Sequence, residues 1–172
     1  MALLVLNVAG SDRPGLTKAL AAAVLSAGGN WLESHLSLLG GLYVGSVLID
    51  VPQDKIEGLR AAVSAVDAQG LKVRIAPALE GAGAVGETLE FSLVGQDRPG
   101  IVRQVTAAVS DLGANIETFD TWLSAEPHSG ASLFHMSAAV RLPPGLAAAR
   151  VQAALEAISG EIMVDVAVGP AG

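Results

Sequence analysis

An α+β fold built from two copies of one strand-helix-strand-strand-helix-strand module is predicted by three observations. The first is an internal duplication: Gly10-Ser11-Asp12-Arg13-Pro14-Gly15 returns 85 positions later as Gly95-Gln96-Asp97-Arg98-Pro99-Gly100. Ten of the 21 positions from Gly10 to Asn30 are identical to their counterparts, among them Ala22, Ala23, Val24, Gly28 and Asn30. Self-similarity at a fixed spacing marks repeated structural units. The second is that short apolar runs and helical stripes follow one another in the same order in both halves. The third is the small-residue stretch Gly81-Ala82-Gly83-Ala84-Val85-Gly86, whose composition is that of a linker of low stiffness.

Each element follows from local pattern. Leu3 to Ala9 is an apolar run ahead of a Gly/Asp/Pro cluster, which predicts a buried strand. Leu16, Leu20, Val24 and Ala27 then recur at helical spacing. Pro14 suits the first helical turn, and Gly28-Gly29 stops the helix. Trp31 to Leu39 and Leu42 to Val51 read as strands joined at Gly40-Gly41. Pro52 opens a second helix carrying Ile56, Leu59, Val63 and Val66, Gly70 ends it, and Leu71 to Ile75 closes the module. The second half repeats this order. Thr88 to Val94 is a strand, and Ile101, Val105, Val109 and Leu112 mark a helix. Asn115 to Ala125 and Ala131 to Arg141 form a hairpin around Pro127 to Gly130. Val151, Leu155 and Ile158 mark the last helix, and Glu161 to Val168 is the closing strand. The expected division is a module over 1–78, a linker over 79–87 and a module over 88–170. Right-handed crossovers in such a module give a four-stranded antiparallel sheet with both helices on one face, the ferredoxin-like arrangement. The opposite face is left bare, so two such faces are expected to meet in a homodimer.

Composition narrows the function. The chain has 172 residues, 51% of them hydrophobic and 16% charged, and a mean hydropathy of +0.52, which excludes disorder. Aromatic residues make up only 3%, so the cores must be built from Ala, Val, Leu and Ile. A net charge of -7 with ten scattered basic residues argues against nucleic acid as the main partner, because phosphate neutralisation needs clustered Lys and Arg. The absence of cysteine removes disulfides, zinc thiolate sites and cysteine nucleophiles together, and fits a reducing cytosol. The start lacks the basic segment of a signal peptide, and no apolar run is long enough to span a bilayer. A cytoplasmic protein is expected.

The strand-to-helix junctions are the sharpest candidates for chemistry. A helix start presents unpaired N–H groups and the positive end of the helix dipole, here around Gly15 and Leu16 or Gly100 and Ile101. Such a place accepts a carboxylate, while Asp12 or Asp97 could meet an ammonium group. One loop thereby offers complementary groups to both ends of an amino acid, and glycine would let the ligand approach the backbone. The architectural alternative also stands: Asp in a turn or cap, with Pro and Gly shaping the helix start. Asn30 and Asn115 either take the left-handed conformation after a helix or offer an amide to a ligand. Arg13 and Arg98 read as solvated or paired with local acids. His35, His128 and His135 occupy unmatched positions and lack metal-site spacing. No nucleophile elbow and no phosphate loop is present. No catalytic residue, metal or cofactor is therefore expected. Trp31 and Trp122 are expected to cover sheet or interface surface.

Asp-Arg-Pro-Gly after an apolar strand, with Gly-x-Asn opening the next, resembles the ACT domain, a small-molecule-binding regulatory module, in both halves. Two such modules with no attached enzyme are most similar to the glycine cleavage system transcriptional repressor family, whose long final hairpin is matched by Glu126 to Ser129 at the tip. The resemblance implies ligand contacts at Gly10, Asp12, Pro14, Gly15 and Leu16, at Gly95, Asp97, Pro99, Gly100 and Ile101, and at Asn30 and Asn115. The chain departs from the serine-binding pattern at Asp12 and Asp97, where an amide is usual, and at Gly10 and Gly95, where a polar residue can occur. The resemblance further implies side-by-side modules with ligands at their seam, and action through contact with a DNA-binding activator. The expectation is thus a non-enzymatic sensor of glycine or a similar small amino acid. The alternatives are a scaffold that binds nothing and a regulatory subunit of an amino-acid metabolic enzyme.

Overall fold

The computed structural model describes residues 1–11, 13–79, 86–158 and 162–168. Asp12, residues 80–85 of the linker and Glu161 lie outside the described residues. The chain divides into two compact units, Met1–Gly81 and Ala82–Gly172. The first runs β1 (Ala2–Ser11), α1 (Leu16–Ser26), β2 (Asn30–Leu39), β3 (Leu42–Val51), a 3-10 turn (Gln53–Lys55), α2 (Ile56–Asp67) and β4 (Leu71–Pro77). The second runs β5 (Thr88–Gln96), α3 (Ile101–Asp111), β6 (Asn115–Ala125), β7 (Ser132–Arg141), α4 (Ala148–Glu156) and β8 (Met163–Val168). The sheet orders are β2-β3-β1-β4 and β6-β7-β5-β8, with every pair antiparallel. This is the predicted ferredoxin-like order, twice.

The period of two in the central strands and the helical stripes meet in one core per unit. Leu4, Leu6 and Val8 of β1 and Val47, Ile49 and Val51 of β3 are buried against Leu20 and Val24 of α1 and Leu59 and Val63 of α2. The second unit repeats this with Leu89, Phe91 and Leu93, Met136 and Val140, Val105 and Val109, and Val151 and Leu155. Burying each such side chain contributes roughly 1.5–3 kcal/mol. The alternate residues of these strands face away from the helices. β2 and β6 pair with a neighbour on one side only, and most of their residues are exposed.

Helix ends explain the duplicated glycines. In α1, the Gly28 N–H donates to the Leu25 carbonyl (2.9 Å) and the Gly29 N–H to that of Val24 (3.0 Å). In α3, Gly113 N–H donates to Ser110 (2.8 Å) and Ala114 N–H to Val109 (3.3 Å). Both are Schellman motifs, which require a left-handed residue just past the helix, and Gly28 (φ 68°) and Gly113 (φ 73°) supply it. The asparagines do not: no residue other than glycine has a positive φ among the described residues. The left-handed alternative for Asn30 and Asn115 is thereby corrected, because the preceding glycines already complete the turn. Both second strands carry a register shift, between Trp31 and Glu33 and between Ile116 and Thr118.

Candidate functional site

β1 delivers the chain to its loop at Ser11, and the turn that follows is set by Pro-Gly. The Leu16 N–H points at the Arg13 carbonyl (3.5 Å), and the Ile101 N–H at that of Arg98 (3.3 Å). Gly15 has φ 94° and ψ -7°, and Gly100 has φ 88° and ψ 0°. Proline followed by a positive-φ glycine is the type II turn, whose third place is closed to side chains at ordinary cost. Pro14 and Pro99 therefore sit in the turn ahead of the helix, not in its first turn as the sequence suggests. Leu16 and Ile101 are buried and anchor each helix start in its core.

The helix starts themselves are left open. Gly15 and Gly100 are the N-cap residues, and among the described residues neither helix has a side-chain cap or an acidic residue in its first turn. The Gly15 and Gly100 carbonyls accept the first helical bonds, from Ala19 (2.9 Å) and Gln104 (3.0 Å). The N–H groups of Thr17 and Lys18, and of Val102 and Arg103, have no intrahelical acceptor by geometry. A Cβ placed on Gly15 or Gly100 would meet nothing within 4 Å, so the space over both loops is free. Lys18 and Arg103 add a cation where the helix dipole already favours an anion. Each helix start is thus an exposed electropositive end that can accept a carboxylate.

The surrounding side chains differ between the copies. In the first unit the Thr17 hydroxyl donates to the Tyr43 hydroxyl (2.9 Å), and Tyr43 stands opposite Gly10 in the sheet. In the second, the matching places hold Val102 and buried Phe134, which stands opposite Gly95. Thr17 and Tyr43 were not visible in the sequence as site residues, because only the register brings Tyr43 beside the loop. The Asp97 backbone is fixed by its N–H to the Ser132 carbonyl (2.9 Å). Its carboxylate is exposed and without a partner among the described residues. Arg98 donates to Gln104 (2.6 Å), a helix neighbour and not an acid. Asp12 lies outside the described residues. A crevice of about 460 Å³ adjoins the first loop, lined by Ala9, Gly10, Ser11, Leu42, Gly70 and Lys72.

Of three further sequence candidates, Gly10 stays beside the loop but is occupied by sheet packing, and Asn30 and Asn115 are carried away from the loops. Gly10 serves the sheet, since a Cβ there would stand 2.1 Å from the Gly70 carbonyl oxygen and 2.7 Å from Leu71 Cα. Asn30 pairs with Asp50, which pairs with Leu3, at the end of β1 remote from Ser11. Eight residues of strand separate Leu3 from Ser11, roughly 26 Å. Asn115 is placed likewise, through Arg141 and Thr88, away from Gln96. Within a unit, loop and asparagine are not brought together.

Groups for bond-making chemistry are sparse among the described residues. No three His, Cys, Asp or Glu side chains there converge as a metal site. Ser124 and His135 Nε2 are in contact at 2.7 Å, but the ring is stacked on Trp122 (5.2 Å between centroids, 7° between planes). Both lie on the outward face of the sheet. Trp31, in contrast, packs against the first core. No helix among the described residues is long and apolar enough to cross a membrane.

A βαββαβ unit with an antiparallel four-stranded sheet, present twice in one chain, is a tandem ferredoxin-like fold. The family model described as the ACT domain matches residues 2–76, the extent of the first module. Over nearly the whole chain the protein resembles two solved structures. One is a protein of unknown role from Galdieria sulphuraria, 27% identical with TM-score 0.83, the match covering 98% of each chain. The other is a provisionally assigned glycine cleavage system transcriptional repressor, 19% identical with TM-score 0.70, again covering 98% of each chain. No curated protein matches the sequence.

Proposed function

We propose that this chain is a regulatory, non-catalytic protein that senses glycine or an amino acid of similar size at its helix-start loops. It acts by changing its contact with a protein partner such as a DNA-binding activator, in the cytoplasm and as a homodimer, in the manner of glycine cleavage system transcriptional repressors. The observation that carries this is the open helix start, present in both modules: a positive-φ glycine, no cap, no first-turn acid, and a first-turn cation. The ligand carboxylate would take the free N–H groups of Thr17 and Lys18, or of Val102 and Arg103, and the loop aspartate would face the ammonium group. Regulation requires that the ligand bind one arrangement of the protein more tightly than another. Sequence and fold agree with the ACT family, and the net charge of -7 agrees with a protein rather than DNA as partner.

Isothermal calorimetry with a panel of free amino acids tests this. Saturable heat with a small amino acid, weakened by Asp12→Ala or by Asp97→Ala, is expected, and the two variants report which loop is used. Absence of heat across the panel refutes sensing and leaves a scaffold of two modules.

A further inference from the structure

The two sheets turn chemically different faces away from their helices, although the scaffold beneath is the same. In the first module strand alternation turns Val5, Val44 and Leu48 outward, with Lys72 and Arg74 of β4 standing beside Ala9 and Asn7. In the second it turns out Val94, Leu133, Trp122 and Met163, with Glu90 on β5 and Asp120 on β6. Trp122 is 51% exposed and Met163 75%. The register puts Glu90 at the place of Val5, Asp120 at that of His35 and Met163 at that of Lys72. The charge of each face is therefore not demanded by the shared scaffold.

The remaining charges on the described side chains of these faces are paired or marginal. Glu33 and His35 of β2 contact each other (2.9 Å), and Arg141 holds Glu117 (2.6 Å). Asp50 is half-buried near the end of β3. Lys72 and Arg74 on one face, and Glu90 and Asp120 on the other, are exposed and without partners among the described residues.

Apolar side chains bared on a sheet face call for a cover. If like faces met, Lys72 and Arg74 would crowd their own copies, or Glu90 and Asp120 theirs, and like charges repel. Unlike faces bring opposite charges together around an apolar centre. We propose that the outward sheet face of the first module packs on the outward sheet face of the second module in another copy of this chain. A two-fold dimer contains this contact twice, since each copy presents to the other what it receives. With ~4.8 Å between strands and ~3.3 Å per residue, each four-stranded face measures roughly 19 by 30 Å. Two contacts then bury on the order of 2,000 Å² in all, the scale of a stable interface. The proposal rests on the homodimer reading above and not on amino-acid sensing.

The test is sedimentation velocity of the full chain at micromolar concentrations, with circular dichroism verifying the fold of each variant. The wild type is expected to be a dimer. Lys72→Glu with Arg74→Glu, and separately Glu90→Lys with Asp120→Lys, should each raise the dimer dissociation constant roughly a hundredfold. An equimolar mixture of the two doubly substituted chains should regain wild-type affinity, because every contact in the mixed dimer again joins opposite charges. Arg60→Glu, on the helix side of the first module, leaves the dimer unchanged. A monomeric wild type would overturn the homodimer and this contact together. A dimer indifferent to both reversals, or a mixture that stays monomeric, would overturn this contact alone.

Discussion

Three glycine-to-alanine substitutions in the first module should fall in a fixed order of stability, because the structure assigns each glycine a different physical role. Gly58 lies inside α2, and a methyl group there would meet nothing within 4 Å, so Gly58→Ala should stabilise by about 0.5–1 kcal/mol through helix propensity. Gly15 also has open space, but its φ of 94° belongs to the left-handed region. Gly15→Ala should therefore cost about 1–2 kcal/mol of backbone strain and nothing from packing. At Gly10 a Cβ would lie 2.1 Å from the Gly70 oxygen and 2.7 Å from Leu71 Cα, both backbone atoms. Relief requires the ends of β1 and β4 to part, with loss of the bond from the Ser11 N–H to the Gly70 carbonyl. Overpacking together with the lost bond costs roughly 3 kcal/mol. The assay is urea unfolding followed by Trp31 fluorescence in a Trp122→Phe background, which reports the first module alone because the chain has two tryptophans. A Gly10→Ala variant as stable as Gly15→Ala would refute the assignment of Gly10 to strand packing.

Two further outcomes follow from contacts in the second module. Arg141 donates to Glu117 (2.6 Å) and to the Gly86 carbonyl (3.1 Å), with both side chains of the ion pair mostly covered (20% and 28% exposed). Arg141→Met should cost about 1–2 kcal/mol in urea unfolding followed by Trp122, and an unchanged midpoint would contradict it. The Trp122–His135 stack should show a coupling of about 0.5–1 kcal/mol in a double-mutant cycle with Trp122→Ala and His135→Ala, measured by circular dichroism. Additive single effects would mean the rings merely lie side by side.

Much of the fold was legible because the same pattern is written twice. Periods of two and of 3.6 placed the central strands and helices, and the duplicated motif drew attention to the loops. Helix starts were misplaced where Pro-Gly carries two meanings: Pro14 fits a first helical turn as well as a type II turn, and only the Gly15 torsion decides. The Trp31/Glu33 shift was hidden because a bulge leaves no composition signal, yet it turns Trp31 towards the core and Glu33 away from it. Strand register was equally invisible, and it governs the candidate site. It brings Tyr43 beside Gly10 and carries Asn30 to the far end of β1. Sequence distance gave no hint of these, since each pair is joined only through antiparallel pairing.

The edge strands bear on solubility. β6 is eleven residues long and among the described residues pairs with β7 alone, so its outer N–H and C=O groups form a template onto which an extended chain could add. Glu117, Asp120 and the threonines and serine along it set charge and hydration against that addition. Mutational tolerance on this strand is consequently narrower than exposure suggests: Asp120→Val would leave the native core untouched and still favour fibrous precipitation at high concentration.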